Sequence, residues 1–310
     1  MRHKISVVIP IYKCGDCLEE LSRRISAALS TITDSYEVIL VDDGCPMDGW
    51  SAIQAEISKR ANFKGLKLSR NFGQHVAISA GLDYVDAEWI VVMDGDLQDD
   101  PDNIPRFYEK ALEGYDIVVG IANRRNSSYR KELGSRLFYH ILGRISRLNF
   151  SSRTGNFGIY SARCIGCVKS MREQHKSFGL FMGWIGFNRA EVEVRRNQRY
   201  SGKSSYSLVD SAWHAINNLT SNSNRLMNWM IKFGFLMSSA SLLAGLMLVV
   251  RTLVISPSTA TGWSSIIVSL YFATGLIVGC LGILGIYIGR IFDQVKDRPL
   301  YFIEETMFNE

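Results

Sequence analysis

Carboxylates crowd into one short stretch of this chain, directly after an apolar run. Trp89 to Met93 is apolar, and Asp94, Asp96, Asp99 and Asp100 follow at once. A short apolar run that stops at acids reads as a buried parallel strand delivering them at its C-terminal end. That is the edge where open α/β sheets bind ligands. Asp94-Gly95-Asp96 places two carboxylates around a residue with no side chain, which leaves room for a diphosphate to approach. Hard oxygen donors of this kind suit Mg²⁺ or Mn²⁺, cations that keep several waters and also bind phosphate oxygens. An isolated DxD recurs by chance as a solvated acidic turn, so its meaning depends on what else reaches the same edge.

The elements that must position these acids show as alternating strand and helix patterns. Lys4 to Pro10 reads as a first strand, followed by a helix over Cys17 to Leu29. Tyr36 to Val41 is a second buried strand and ends in Asp42-Asp43-Gly44, acids again at a strand's end. A helix from Gly49 to Ala61, a short strand from Gly65 to Leu68 and a loop over Ser69 to Gly73 come next. A helix from Gln74 to Val85 leads into the acidic strand. Beyond it lie a helix over Ile104 to Glu113 and a strand over Asp116 to Gly120. Such alternation predicts an α/β fold with a doubly wound, mostly parallel sheet. Pro10 to Tyr12, Asp42 with Asp43, and Asp94 to Asp96 then share one edge. The GxGxxG of dinucleotide folds does not follow the first strand, and no Walker A lysine loop occurs, which argues against nicotinamide chemistry and ATP hydrolysis.

Composition narrows the partners. The 310 residues carry a net charge of +5, with 47% hydrophobic residues and a mean hydropathy of +0.03. The apolar excess sits near the C-terminus. Basic residues cluster at 124–153, at 189–203 and beside the apolar segments, a distribution suited to phosphate groups and a membrane surface. Neither zinc-finger spacing nor an RNP-like motif is present, so nucleic acid is not expected. Cys14/Cys17 and Cys164/Cys167 form two CxxC pairs, separated by far more than the roughly 15–20 residues of a zinc ribbon. Zinc is therefore not expected, Cys164 and Cys167 read as one helix face, and so few cysteines in a chain this long suit a reducing compartment. Ile5 to Ile11 is short and runs into Pro10 and Lys13, so no cleavable signal peptide is expected.

The motifs VVIPIY, VDDG, LSRNFGQH, MDGDLQDDP and EGYDIVVG, in that order, resemble the family 2 glycosyltransferases of GT-A fold. Within them the chain is similar to the bacterial polyprenyl-phosphate glycosyltransferases. That group includes O-antigen-modifying glucosyltransferases and the aminoarabinose transferase, and is related to dolichol-phosphate mannose synthase. The resemblance runs from Lys4 to about Phe302. It implies that Pro10, Tyr12 and Asp42 or Asp43 hold the nucleotide base and ribose, and that Arg70 contacts the nucleotide. Asp94 becomes the first acid of the DxD motif. Asp96, with Gln98, becomes the ligand of Mg²⁺ or Mn²⁺, and alternation along an extended segment would point Asp94, Asp96 and Gln98 the same way.

Further along, the resemblance assigns Arg124, Arg125, Arg130 and Lys131 to phosphates of donor or lipid. It gives Arg199, Ser204 and Tyr206 the places of a family R-x-x-G-x-S-K-Y motif, with Arg199 counted among the catalytic residues beside Asp94 and Asp96. Several positions depart from the family pattern. Lys13 and Cys14 stand where Asn and Glu are usual, Ser205 stands at the family lysine with Lys203 two residues earlier to replace it, and Ile286 replaces a Glu. Asn156, in Gly155-Asn156-Phe157, replaces a family aspartate suspected of acid–base work. An acceptor phosphate is already anionic and needs no base.

The C-terminal third reads as membrane-associated. Tyr206 to Lys232 carries a helical apolar stripe with Trp213 and Trp229 placed for the headgroup level, a juxtamembrane amphipathic segment over 206–232. Phe233 to Val250 and Ser264 to Gly289 hold no charge. A spanning helix needs about 20 apolar residues, so spans are expected at 233–255 and 264–289, with 290–310 as a tail and 1–205 as the transferase domain. Glycines from Gly275 to Gly289 recur at close-packing intervals. Lys232, Arg290, Lys296 and Arg298 flank the spans, so the positive-inside rule sets the transferase domain and both termini in the cytoplasm.

The resemblance thus implies an inverting, metal-dependent transfer of sugar from a nucleotide-sugar, UDP-linked in the usual case, to polyprenyl phosphate at the bacterial inner membrane. The service is modification of O-antigen or another surface polysaccharide, by a homo-oligomer, a tetramer in relatives. Two other readings stay open on sequence: a processive polysaccharide synthase, although no Q-x-x-R-W motif is present, and a non-catalytic membrane scaffold.

Overall fold

The computed structural model describes residues 3–46, 48–122, 154–174, 177–194 and 263–308, with residues 232–234, 236–237, 239–240 and 243. The described residues belong to two compact units, a sheet unit that includes 298–308 and a unit that holds a long C-terminal helix.

The sheet is built outward from β1 (His3–Ile11), buried throughout from Ile5 to Ile11 because its apolar side chains face helices on both sides. It pairs in parallel with β2 (Tyr36–Asp42) and β4 (Ala87–Val92), and β2 pairs in parallel with β3 (Phe63–Leu68). Beyond β4 comes β6 (Thr154–Ser161), antiparallel to both β4 and β5 (Ile117–Ala122), and β7 (Arg189–Val194) runs parallel to β5 at the edge. The opposite edge is β8 (Ile303–Phe308), antiparallel to β3. The order β7-β5-β6-β4-β1-β2-β3-β8 makes a mixed sheet in which only β6 and β8 oppose the common direction.

Helices cover both faces, as the alternation predicts. On one face α1 (Leu18–Ser30), α2 (Gly49–Lys59) and α4 (Ile104–Leu112) bury Leu21, Ile25, Ile53, Ile57 and Phe107 against Val7, Ile9 and Val38. The other face takes α3 (Gln74–Asp83), α5 (Ala162–Ser170) and α6 (Phe178–Trp184). There Ile78, Cys164, Ile165, Phe178 and Tyr160 enclose Val8 and Val92. Each such buried aliphatic or aromatic side chain contributes about 1.5–3 kcal/mol. Cys164 behaves as a small apolar residue, and Ser161 caps its helix by accepting from the Cys164 N–H.

Residues 290–310 are not simply a tail. Their last part is β8, and the segment before it is tied down: Tyr301 Oη donates to Asp83 Oδ2 at 2.8 Å, and Arg172 forks onto the same carboxylate at 2.9 and 3.2 Å. The long helix α7 (Trp263–Val295) has 33 residues and continues through Arg290 and Asp293, past the expected stop at 289. At 1.5 Å per residue it is about 50 Å long. Within Ser269–Val295 the most apolar 18-residue window has a mean hydropathy of 2.0 and none of it is buried, enough by length and composition to cross a membrane. The expected segments 206–232 and 233–255 fall almost wholly outside the described residues.

Candidate donor-binding edge

Parallel pairing aligns the ends of three strands. Pro10 lies opposite Val41, Ile11 opposite Asp42, and Val8 opposite Val92. Pro10 to Tyr12, Asp42 with Asp43, and Asp94 to Asp96 therefore emerge together, the juxtaposition the sequence predicts.

The two acids after β2 turn inward. Asp42 and Asp43 are each 2% exposed. Asp42 Oδ1 accepts from the Cys45 N–H at 2.9 Å. Asp43 spends both oxygens on the β3–α3 loop: Oδ1 accepts from the Phe72 N–H at 2.7 Å, and Oδ2 from the Gly73 N–H at 3.0 Å. Burial raises both pKa values above the usual carboxylate, opposed in Asp42 by the Cys45 amide and in Asp43 by the two loop amides. Gly44 seals the junction. It has φ +63°, and a Cβ there would stand 2.4 Å from the Arg70 carbonyl carbon. The VDDG and LSRNFG motifs are thus two halves of one knot. Arg70 is exposed, with its guanidinium 4.1 Å from the Phe72 ring centroid and Nη1 donating to the Asn71 carbonyl at 3.2 Å.

The acids after β4 stay half-exposed. Asp94 is braced from two directions. Its Oδ1 accepts from the side-chain amide of Gln74, the first residue of α3, and its N–H donates to Asp99 Oδ2 at 3.0 Å. Asp96 Oδ1 accepts from the Gln98 N–H at 3.1 Å. Between them Leu97 holds φ +59° with its side chain 7% exposed. A left-handed non-glycine residue costs roughly 1–2 kcal/mol, offset here by burying the leucine. The segment is a turn rather than an extended strand, so the alternation expected to align Asp94, Asp96 and Gln98 does not apply.

Gly95 also serves a purpose other than the expected one. A Cβ at Gly95 would lie 2.7 Å from Ile11 Cδ1 and 3.1 Å from the Pro10 carbonyl oxygen. The missing side chain makes room for β1. The remaining acids are structural. Asp100 and Asp102 both bind Arg24 of α1, and Asp100 caps the turn Pro101–Asn103 through the Asp102 N–H.

Tyr12 is 41% exposed at the end of β1, with Lys13 Nζ 5.1 Å from its ring centroid. Asn156 sits half-buried on β6, and its carbonyl accepts from Tyr160 Oη at 2.9 Å. Arg124, Arg125, Arg130, Lys131, Arg199, Lys203, Ser204, Ser205 and Tyr206 lie outside the described residues. Sequence reasoning missed Gln74 and Asp99 as the residues that hold Asp94. Gln74 stood in view within LSRNFGQH.

The donor set at this edge fits a hard divalent cation. Among the described residues no group of three or more His, Cys, Asp or Glu side chains forms a metal cage. Mg²⁺-type ions are held by one or two carboxylates with phosphate oxygens and water supplying the rest. Asp96 is a half-exposed carboxylate with about four acceptor sites.

Residues 6–175 match the family model described as glycosyl transferase family 2. Over 307 residues the chain is 31% identical to an uncharacterized glycosyltransferase of Bacillus subtilis, YkcC, covering 98% of this chain and 95% of the relative. Over 314 residues it is 32% identical to the undecaprenyl-phosphate 4-deoxy-4-formamido-L-arabinose transferase of Klebsiella pneumoniae, with 98% and 94% covered. Among solved structures it is similar to the glucosyl-3-phosphoglycerate synthase of Mycobacterium tuberculosis in complex with Mn²⁺, UDP-glucose and phosphoglyceric acid. The TM-score is 0.52 at 15% identity, covering 70% of this chain and 78% of that one.

Proposed function

The chain belongs to glycosyl transferase family 2, and on that premise we propose that it transfers a sugar from a nucleotide-sugar to polyprenyl phosphate, with inversion, at the cytoplasmic face of a bacterial inner membrane. The observation that carries this reading is the pairing of Asp94 and Asp96 on one turn at the sheet edge, half-exposed, while the neighbouring acids are committed to the backbone or to Arg24. The undecaprenyl-phosphate relative, aligned along nearly the whole chain, supports the lipid acceptor. The exposed apolar helix α7 supports a membrane setting.

In this reading Asp96, with Asp94 beside it, would hold Mg²⁺ or Mn²⁺. The cation, when bound, supplies positive charge against the departing nucleoside diphosphate. The chain's own residues do the rest. Gln74 and Asp99 keep the Asp94 carboxylate and amide in place. Tyr12 and Lys13 line the base side of the same edge. Asp42, rather than Asp43, is the acid that meets the nucleotide, because Asp43 already gives both oxygens to the Phe72 and Gly73 amides. The acceptor phosphate attacks as an anion, so Asn156 in place of an acid is compatible with turnover. The basic residues between 124 and 131 and between 199 and 203 attract the phosphates, and a second span at 233–255 completes a membrane hairpin that returns the chain to the cytoplasm.

The test is transfer of labelled sugar to undecaprenyl phosphate by the full chain in vesicles, across a panel of nucleotide-sugars. Transfer is expected from one donor, to be lost on chelation with EDTA and in Asp94→Asn and Asp96→Ala. Undiminished transfer in EDTA, or in either variant, refutes the site.

A further inference from the structure

The DxD turn is gripped at its middle residue from two sides. Below, the Cα of Gly95 presses on β1, where a Cβ would meet Ile11 Cδ1 and the Pro10 carbonyl. Above, the Gly95 carbonyl oxygen is 3.1 Å from the thiol of Cys17. Cys17 is 2% exposed and stands at the N-cap of α1. Its sulfur also lies 3.2 Å from the Cys14 carbonyl. The sulfur therefore sits between the β1–α1 loop and the DxD turn, its one S–H within reach of either carbonyl. Gly95 has no side chain to hold its own position, and its carbonyl belongs to the peptide that carries Asp96. If that peptide rotates, the Asp96 carboxylate moves with it.

We propose that Cys17 is a positioning residue for donor binding. By donating to the Gly95 carbonyl it fixes the peptide that aims Asp96, and so sets the affinity of the edge for a divalent cation and a nucleoside diphosphate. This rests on the donor-site reading given above. A thiol suits the place because it is small and apolar enough for full burial while still a weak donor. Nothing in the proposal involves the acceptor, so the effect falls on one substrate only.

Three replacements of Cys17 separate the bond from the packing. Cys17→Ser keeps a donor, Cys17→Val fills the space without one, and Cys17→Ala removes both. Each is made in the full chain and assayed with Mn²⁺, the productive nucleotide-sugar and undecaprenyl phosphate. A thiol is a weak donor, so its bond lies at the low end of the hydrogen-bond range and corresponds to about a two- to threefold change. Cys17→Val and Cys17→Ala are expected to raise the donor KM and the Mn²⁺ activation constant by that factor, with the acceptor KM unchanged, and Cys17→Ser is expected to restore both. Hydrogen exchange gives a readout independent of turnover. The Asp94 and Gln98 amides, which close the turn, should lose protection in Cys17→Val while the β1 amides keep theirs. Wild-type constants in Cys17→Val, an equal rise in donor and acceptor KM, or no rescue by serine overturns the proposal. If the wild-type chain binds no nucleoside diphosphate with Mn²⁺, the donor-site reading itself falls, and this inference falls with it.

Discussion

Replacing Asp43 by alanine tests whether this acid builds the edge rather than serves it. The side chain is 2% exposed and its carboxylate takes the Phe72 and Gly73 amides at 2.7 and 3.0 Å. Alanine leaves two half-buried N–H groups without that acceptor, at about 1–3 kcal/mol each. Relief from desolvating a carboxylate offsets part of this, so the net loss is about 2–4 kcal/mol. For a chain of this size each kcal/mol lowers Tm by roughly 2–4 °C, which predicts a drop of about 5–15 °C. Thermal unfolding of the full chain in detergent, followed by tryptophan fluorescence, measures it. Asp42→Asn provides the contrast, since one amide oxygen can still accept from Cys45; Tm should stay within about 3 °C while nucleotide affinity falls. The pH dependence has a defined sign. Burial raises the folded pKa of Asp43 above its ordinary 3.8. Between 3.8 and that raised value the folded state holds a proton that the unfolded state has released. Stability from this group therefore falls as pH rises through the window and is regained on acidification. The Tm of wild type minus that of Asp43→Asn should accordingly increase as pH is lowered towards 4. A Tm for Asp43→Ala within 2 °C of wild type, or a difference that moves the other way with pH, refutes the reasoning.

Gly95→Ala should cost about 1–3 kcal/mol through overpacking, because the new Cβ meets Ile11 Cδ1 at 2.7 Å and the fixed Pro10 carbonyl at 3.1 Å; Ile11→Val in the same chain should recover part of the lost Tm. Gln74→Glu sets a like charge against Asp94 in place of an amide donor, and loss of a charge-assisted bond predicts a fall in kcat/KM for the donor of about 10- to 100-fold, read in the transfer assay. Tyr301→Phe removes one donor to Asp83 and leaves Arg172 in place, at about 0.5–1.5 kcal/mol. Asp83→Ala removes both attachments and should raise hydrogen exchange along Ile303–Phe308 while β1 stays protected.

The parts of the fold that could be read from sequence share one property: each buries both faces or one clear stripe. β1, β2 and β4 are apolar throughout and stop at polar groups, and α1 and α4 carry their buried residues at helical spacing. The strands that escaped notice lack that signal. β6 contains Gly155, Asn156 and Gly158, and Gly158 packs so closely that a Cβ would stand 2.4 Å from the Val118 carbonyl oxygen. β7 and β8 are edge strands with charged residues on the exposed side. Their partners are also remote in sequence, with β8 pairing to β3 across most of the chain's length.

The site divides along a similar line. Residue types announced the acids and their strands, but roles were set by contacts between segments that no spacing reveals. Asp43, expected with Asp42 as a nucleotide contact, ties the β3–α3 loop. Gly95, expected to leave room for a diphosphate, packs against β1. Gln74 looked like the start of a helix and holds Asp94. What distinguishes the pairs is water. Asp42 and Asp43 are buried and pushed towards the neutral form; the Phe72 and Gly73 amides oppose this in Asp43 and the Cys45 amide in Asp42. Asp94 and Asp96 remain half-exposed on a strained turn, Asp94 braced by Gln74 and Asp96 by the Gln98 amide, where water and a cation still have access to them. On the proposed reading the edge uses both kinds of acid: a buried Asp43 that sets the loop, and half-exposed Asp94 and Asp96 that stay accessible to a ligand.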